Sequence, residues 1–225
     1  IERVARKKDA PVIKAGEPAR ELSSLELPLP GEHQRQNAAV AWATVSALQR
    51  QVPVTEAQLR RGLGTVSWPG RLQLIRRPDG TLFLLDGAHN VAGAMTLRDA
   101  VRSWGAGFGS SGITLILGIL QDKDWQSIGR LLAPLAQTIL TVPVSSERTA
   151  DAESLAEAVR SANPSAAVFA CGSFREALAR AAQAKRVIVT GSLYLVGEAL
   201  EIFGAAPGPG ESGLNEWTGP ATTLH

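Results

Sequence analysis

From Arg71 onward the chain alternates between short apolar runs and segments whose apolar residues recur every three to four positions. Runs at 72–75 and 81–85 flank Pro78-Asp79-Gly80, which reads as a hairpin with a type I or I′ turn. Beyond it the pattern predicts helices at 91–104, 125–132, 152–162, 174–184 and 193–203. These interleave with strands at 113–117, 138–142, 167–171 and 186–190. Strands spaced by helices imply crossover connections and a mostly parallel α/β sheet, with the antiparallel hairpin at one edge. The preceding stretch has another character. Residues 1–8 resemble the tail of an amphipathic helix, Pro11-Val12-Ile13 is strand-like, and the apolar run at 25–29 is broken by Pro28 and Pro30. An Ala-rich helix is expected over 34–51. A second follows, capped by Thr55 with Glu56 in its first turn, and ends near Gly62. Residues 64–69 read as a linker. The expected units are therefore 1–66, 67–204, and a Pro/Gly-rich tail at 205–225 with little to bury and an expectation of flexibility.

Composition narrows the class. At 225 residues the chain can bury a real core as one large or two small domains. Lys+Arg 23 against Asp+Glu 21 gives a net charge of +2, too balanced to argue for nucleic acid or an anionic membrane. No apolar run is long enough to span a bilayer and no signal peptide is visible, so the expectation is a cytoplasmic protein. Cys171 is the only cysteine, which excludes an internal disulfide and a cysteine zinc cluster. It ends the 167–171 run, which reads as a buried strand, and so reads as an inert core thiol. The chain opens at Ile1 and its only methionine is Met95, so a processed, proteolysed or deliberately cut piece is expected.

The candidate chemistry gathers at strand ends. The 81–85 run stops abruptly at Asp86, and Gly87-Ala88-His89-Asn90 intervene before a helical pattern resumes. In an open α/β sheet the carboxyl ends of the strands are where ligands sit. A carboxylate, a glycine, an imidazole and an amide thus reach one crevice, although Asp86 or Asn90 could equally cap the next helix. Two glycine-rich patterns are decoys. Gly105-Ala106-Gly107-Phe108-Gly109 has Ser110 in place of a third glycine and precedes a strand where a dinucleotide fingerprint would follow one. The spacing from Gly107 to Gly112 lacks the lysine of a phosphate loop. Nor do His33, His89 and His225 have the spacing of a metal site.

Four segments together are more specific than any alone. They are Gly31-Glu32-His33-Gln34-Arg35-Gln36-Asn37-Ala38-Ala39, Trp68-Pro69-Gly70-Arg71, Leu85-Asp86-Gly87-Ala88-His89-Asn90 and Thr190-Gly191-Ser192-Leu193-Tyr194-Leu195-Val196-Gly197-Glu198. In this order and spacing the chain resembles folylpolyglutamate synthase, including the bifunctional form with dihydrofolate synthase activity, a branch of the Mur ligase superfamily. Gly118-Ile119-Leu120-Gln121-Asp122-Lys123-Asp124 adds to the likeness, which covers residues 1–204. The resemblance implies a Rossmann-like C-terminal ligase domain over 67–204, preceded over 1–66 by the end of the central, ATP-binding domain. It implies an ATP-dependent ligase that joins L-glutamate to folate or dihydropteroate through an acyl phosphate, monomeric as the full-length enzyme. The phosphate loop and most ligands of Mg2+ would lie upstream, so the fragment alone is expected to be inactive.

The same resemblance places nucleotide contacts on Asn37, Arg71 and Asp86, chemistry on His89, and glutamate contacts on Ser192 and Tyr194; it places no metal ligand on this chain. The residue types suit those roles. An Asn amide fits a nucleobase or ribose edge, and here it is read as beginning a helix whose local backbone groups are free. The Arg71 fork can grip phosphate in two places. Asp86 can accept from a ribose hydroxyl or orient a cation-bound water, and His89 can orient or deprotonate an amine. Asp124 reads as a helix cap first. One departure is Val91, where the family usually has the proline that presets a first helical turn. Two other readings stay open: a non-catalytic nucleotide- or glutamate-binding or assembly module, and a ligase acting on a muramyl peptide.

Overall fold

The computed structural model describes residues 1–15, 22, 24–105, 108 and 112–206. Among them, three helices come first: α1 (Glu2–Lys7), α2 (Glu32–Ala47) and α3 (Glu56–Thr65). Then follow β1 (Gln73–Arg76), β2 (Leu82–Asp86), α4 (Val91–Ser103), β3 (Ile113–Leu117), α5 (Trp125–Leu132) and β4 (Thr138–Thr141). The order closes with α6 (Ala152–Ala162), β5 (Ala167–Ala170), α7 (Phe174–Arg180), β6 (Arg186–Thr190) and α8 (Leu193–Ile202). Local chemistry explains where the helices begin. Asn90, Asp124, Asp151, Ser173 and Ser192 each accept a backbone N–H of the first turn that follows them, opening α4 to α8 in that order. At α3, Thr55 and Gln58 satisfy each other's backbone in a reciprocal capping box.

The six strands form one sheet in the order β1-β2-β6-β3-β4-β5. β1 pairs antiparallel with β2, Gln73 opposite Leu85, and every other pairing is parallel. The expected mostly parallel sheet with an antiparallel edge hairpin is therefore the fold observed. Side chains alternate across the sheet, as strand geometry requires. Leu84, Leu115, Leu117, Ile139 and Ile188 pack on one face against Leu97, Ile128 and Val159 of α4, α5 and α6. Phe83, Leu85, Ile116, Leu140 and Val189 pack on the other against Phe174 of α7 and Leu195 of α8. A separate small cluster, Leu22 with Ala38 and Ala39, lies against α2, and Leu63 of α3 packs onto it.

Several expectations need correction. The 167–171 run is not buried: β5 is the outer strand, and its side chains alternate between exposed and half-buried, with Phe169 43% exposed. Only Cys171 beyond it enters the core, where burial pushes its thiol up from the ordinary range. Pro11-Val12-Ile13 forms no strand; Val12 and Ile13 are exposed, and no described segment pairs with them. Leu72 leaves the predicted strand because its backbone turns to φ +45. Helix α2 starts at Glu32, so Asn37 lies more than a turn inside it rather than at a start with free backbone groups. Residues 207–225, most of the expected flexible tail, lie outside the described residues, as does most of the glycine-rich stretch 105–111.

Candidate functional site

Adjacent strands β2 and β6 send the chain to opposite faces of the sheet, β2 into α4 and β6 into α8. Such a divergence opens a crevice at the carboxyl ends of the strands. Asp86 and Thr190 are registered partners at those ends. The loop before β1 joins them there. Gly70 takes φ +74, and its carbonyl accepts the Gly87 N–H at 2.9 Å. The space a Cβ would need at Gly70 is filled by Val196, and at Gly87 by Leu193, so both peptide segments lie flush against α8.

Asp86 organises this corner. It is 7% exposed; Oδ2 accepts the Leu72 N–H and Oδ1 the Ala88 N–H, both at 2.9 Å. Burial pushes its carboxyl up from the ordinary range, opposed by these two N–H donors and then by the Arg71 and His33 charges. The carboxylate thereby ties the turn holding Arg71 to the loop that leads to His89. Leu72, at φ +45, is a non-glycine residue in the left-handed region, a conformation that persists only when surrounding bonds fix it.

A cavity of about 350 Å3 opens above Asp86, within the size range of small-molecule sites. It brings together three of the expected residues, Asn37, Arg71 and Asp86, from α2, the loop before β1 and the end of β2. His33 and Gln34 of α2 and Thr96 of α4 also line it, and the sequence reading gave none of these a role. The signal was available, since His33 and Gln34 precede Asn37 by four and three positions and so share its helical face. The Asn37 Nδ2 donates to Gln34 Oε1 at 3.1 Å. Arg71 has no hydrogen-bonded or ion-paired partner among the described residues.

His33 is shifted below its ordinary range by burial, against Asp86, which raises it, and with Arg71, which lowers it further. A histidine with a depressed folded-state value supports the fold above the unfolded value of about 6.5 and loses that support as pH falls through the folded value. We expect the melting temperature of the wild type to drop more between pH 7 and pH 5 than that of His33→Phe. Parallel declines in the two proteins would refute this.

The remaining expected residues lie elsewhere in the crevice. His89 is half-buried and lines neither this cavity nor the depression at Tyr194. Its Nδ1 lies 2.8 Å from the Gly87 carbonyl oxygen. A carbonyl only accepts, so Nδ1 carries the proton and a neutral ring keeps its Nε2 lone pair. Asn90 acts as a helix cap, its Oδ1 accepting from Gly93 N at 2.8 Å. Ser192 is 2% exposed, and its hydroxyl caps α8 by accepting the Tyr194 N–H at 3.1 Å. Tyr194 is 49% exposed and faces a second depression with Ser145, Glu198 and Glu201. Asp124 caps α5 through Ser127 N, the reading expected for it.

The family described as Mur ligase, glutamate ligase domain, matches residues 70–193, more than half of the chain. The chain belongs to the Mur ligase family. This Mur ligase chain is 36% identical over 179 residues to the folylpolyglutamate synthase of Lacticaseibacillus casei, a similarity covering 77% of it and 39% of that protein. Its fold is similar to Mycobacterium tuberculosis folylpolyglutamate synthase complexed with ADP, with TM-score 0.70 and 30% identity over 81% of this chain and 42% of that one. It is also similar to Escherichia coli FolC in complex with DHPP and ADP, with TM-score 0.68 and 27% identity, covering 82% and 42%. The Mur ligase chain thus spans about two fifths of the length of the relatives it matches. No helix of its described residues is long and apolar enough to cross a membrane.

Proposed function

We propose that this chain is the nucleotide- and glutamate-facing part of a cytoplasmic ATP-dependent amide ligase that adds L-glutamate to folate or dihydropteroate. In this reading residues 1–66 end a central ATP-binding domain and 67–204 form the C-terminal ligase domain. The observation that carries it is the cavity joining Asn37, Arg71 and Asp86. Its donor set fits a nucleotide. The amides of Gln34 and Asn37 keep donors and an acceptor for a base edge, Arg71 offers phosphate a planar cation with no hydrogen-bonded partner among the described residues, and Asp86 offers acceptor lone pairs. Two relatives of known structure are described as ADP complexes, which supports the same assignment.

Magnesium does not fit the described residues by themselves. They hold no group of three or more His, Cys, Asp or Glu able to share an ion. In the proposed reaction a carboxylate of the acceptor takes the terminal phosphoryl group of ATP and ADP departs. The amine of glutamate then attacks the acyl carbon, and phosphate leaves. His89, with Nδ1–H held by Gly87, offers Nε2 to take the proton released as that amide forms. Tyr194, at the second depression, and Ser192, which caps the helix that carries Tyr194, are assigned to glutamate on the strength of the resemblance.

Isothermal calorimetry with ADP tests the reading. The chain is expected to bind ADP. Loss of a charge-assisted phosphate contact in Arg71→Ala should weaken that binding by about tenfold or more. A chain that binds no ADP, or an Arg71→Ala variant that binds as tightly as wild type, would defeat it. In the longer protein that carries this chain, ADP release should require folate, glutamate and ATP together.

A further inference from the structure

His33 sits in the first turn of α2, and its imidazole is seated against Gly31. The seat exists because residue 31 is glycine. A Cβ there would fall 2.6 Å from the His33 Cε1 and 2.8 Å from Nδ1, and Gly31 also takes φ +106. One side of the ring is thus fixed by packing while the ring lines the cavity that holds Arg71 and Asp86. A structural histidine normally spends a ring nitrogen on a carbonyl or carboxylate, as His89 does on Gly87. His33 has no hydrogen-bonded partner among the described residues. It is a held ring that lines the cavity and spends neither nitrogen on a described partner.

The chemistry of the other lining groups narrows what it would meet. The Gln34–Asn37 amide pair suits a base edge. Arg71 suits phosphate, and burial, opposed by Asp86 and aided by the Arg71 charge, holds the imidazole below its ordinary range. Asp86 is an acceptor only; each oxygen already takes one N–H and keeps a further lone-pair direction. A neutral imidazole presents one donor and one acceptor. Hydroxyl groups, each donor and acceptor at once, are what an acceptor-only carboxylate and such an imidazole bind together.

We propose that His33 is a sugar-reading residue of this cavity, taking one hydroxyl of a ribonucleotide's vicinal diol while Asp86 takes the other. The inference rests on the nucleotide reading above and adds to it a residue and a selectivity for ribose over deoxyribose. His33→Phe keeps a planar ring against Gly31 and removes both nitrogens.

Calorimetry with ADP, 2′-deoxy-ADP and 3′-deoxy-ADP gives the test. Wild type should bind each deoxy analogue more weakly than ADP. His33→Phe should bind ADP about fivefold more weakly, the loss of one neutral hydrogen bond. It should also have lost its discrimination against one of the two analogues while keeping the other. His33→Gln, which retains a donor and an acceptor, should restore part of the difference. If His33→Phe still discriminates against both analogues as wild type does, the proposal is overturned, though the nucleotide reading survives. If wild type binds no ADP, both fall together. Should His33→Phe melt below the assay temperature, the imidazole proton resonances of wild type decide. They should move more on adding ADP than on adding one of the deoxy analogues, and equal movement with all three overturns the proposal.

Discussion

Asp86→Ala is expected to lower stability by about 3 kcal/mol and to abolish measurable ADP binding. Two buried N–H groups, of Leu72 and Ala88, lose their acceptor, and each such orphan costs about 1–3 kcal/mol. Releasing a buried charge works in the opposite direction, so the net falls below the sum. For a chain of this size that is a fall in melting temperature of roughly 6–12 °C. The second consequence is local. Leu72 stays at φ +45 only while its N–H is held, and when it relaxes the neighbouring Arg71 is carried away from the cavity. Asp86→Asn sharpens the point, because an amide can accept through one atom only, and its NH2 must face either the Leu72 or the Ala88 donor. It should lie between wild type and Asp86→Ala in urea unfolding. An Asp86→Ala protein with wild-type stability and wild-type affinity for ADP would show that the carboxylate ties nothing together.

Gly191→Ala should be costlier still for folding, by about 4 kcal/mol, combining a strained backbone with overpacking. Gly191 leaves β6 at φ +103, and an added Cβ would fall 2.6 Å from the Gly118 carbonyl oxygen and 2.8 Å from Ile119 Cγ1. The obstacle is backbone rather than a flexible side chain. Gly118 is itself pinned by its N–H to the Thr190 carbonyl at 3.2 Å. Gly197 supplies the contrast. It lies inside α8 with nothing within 4 Å of where a Cβ would stand, so Gly197→Ala should stabilise by up to about 1 kcal/mol. Urea midpoints that move together for the two substitutions would contradict this account.

Much of this architecture was legible because buried parallel strands and amphipathic helices write different periods into the sequence. The bounds of α5, α6, β3 and β6 coincide with the apolar pattern. What escaped depends on neighbours distant in the chain. Whether 167–171 is central or peripheral is decided by β6 returning between β2 and β3, leaving β5 outermost. The Leu72 turn is imposed by a carboxylate fourteen residues away. At the site, Asn37, Arg71 and Asp86 were readable as a set through family resemblance, and the cavity brings them together. His33 and Gln34 stand in the same motif, yet only the cavity shows which face of α2 looks inward. The glutamate side was less legible. Ser192 reads as a ligand in the motif, while its hydroxyl is engaged at the start of α8.

The position of β6 governs how the domain can be made. The strand bonded to both β2 and β3 is the last of the six in the chain, and the Thr81 hydroxyl reaches the Ala184 carbonyl across 103 residues. A polypeptide emerging from a ribosome therefore exposes two open strand edges until nearly all of the sheet region has been synthesised. Closing the sheet is then a single late insertion across a long loop, the slow kind of step in which aggregation competes with folding.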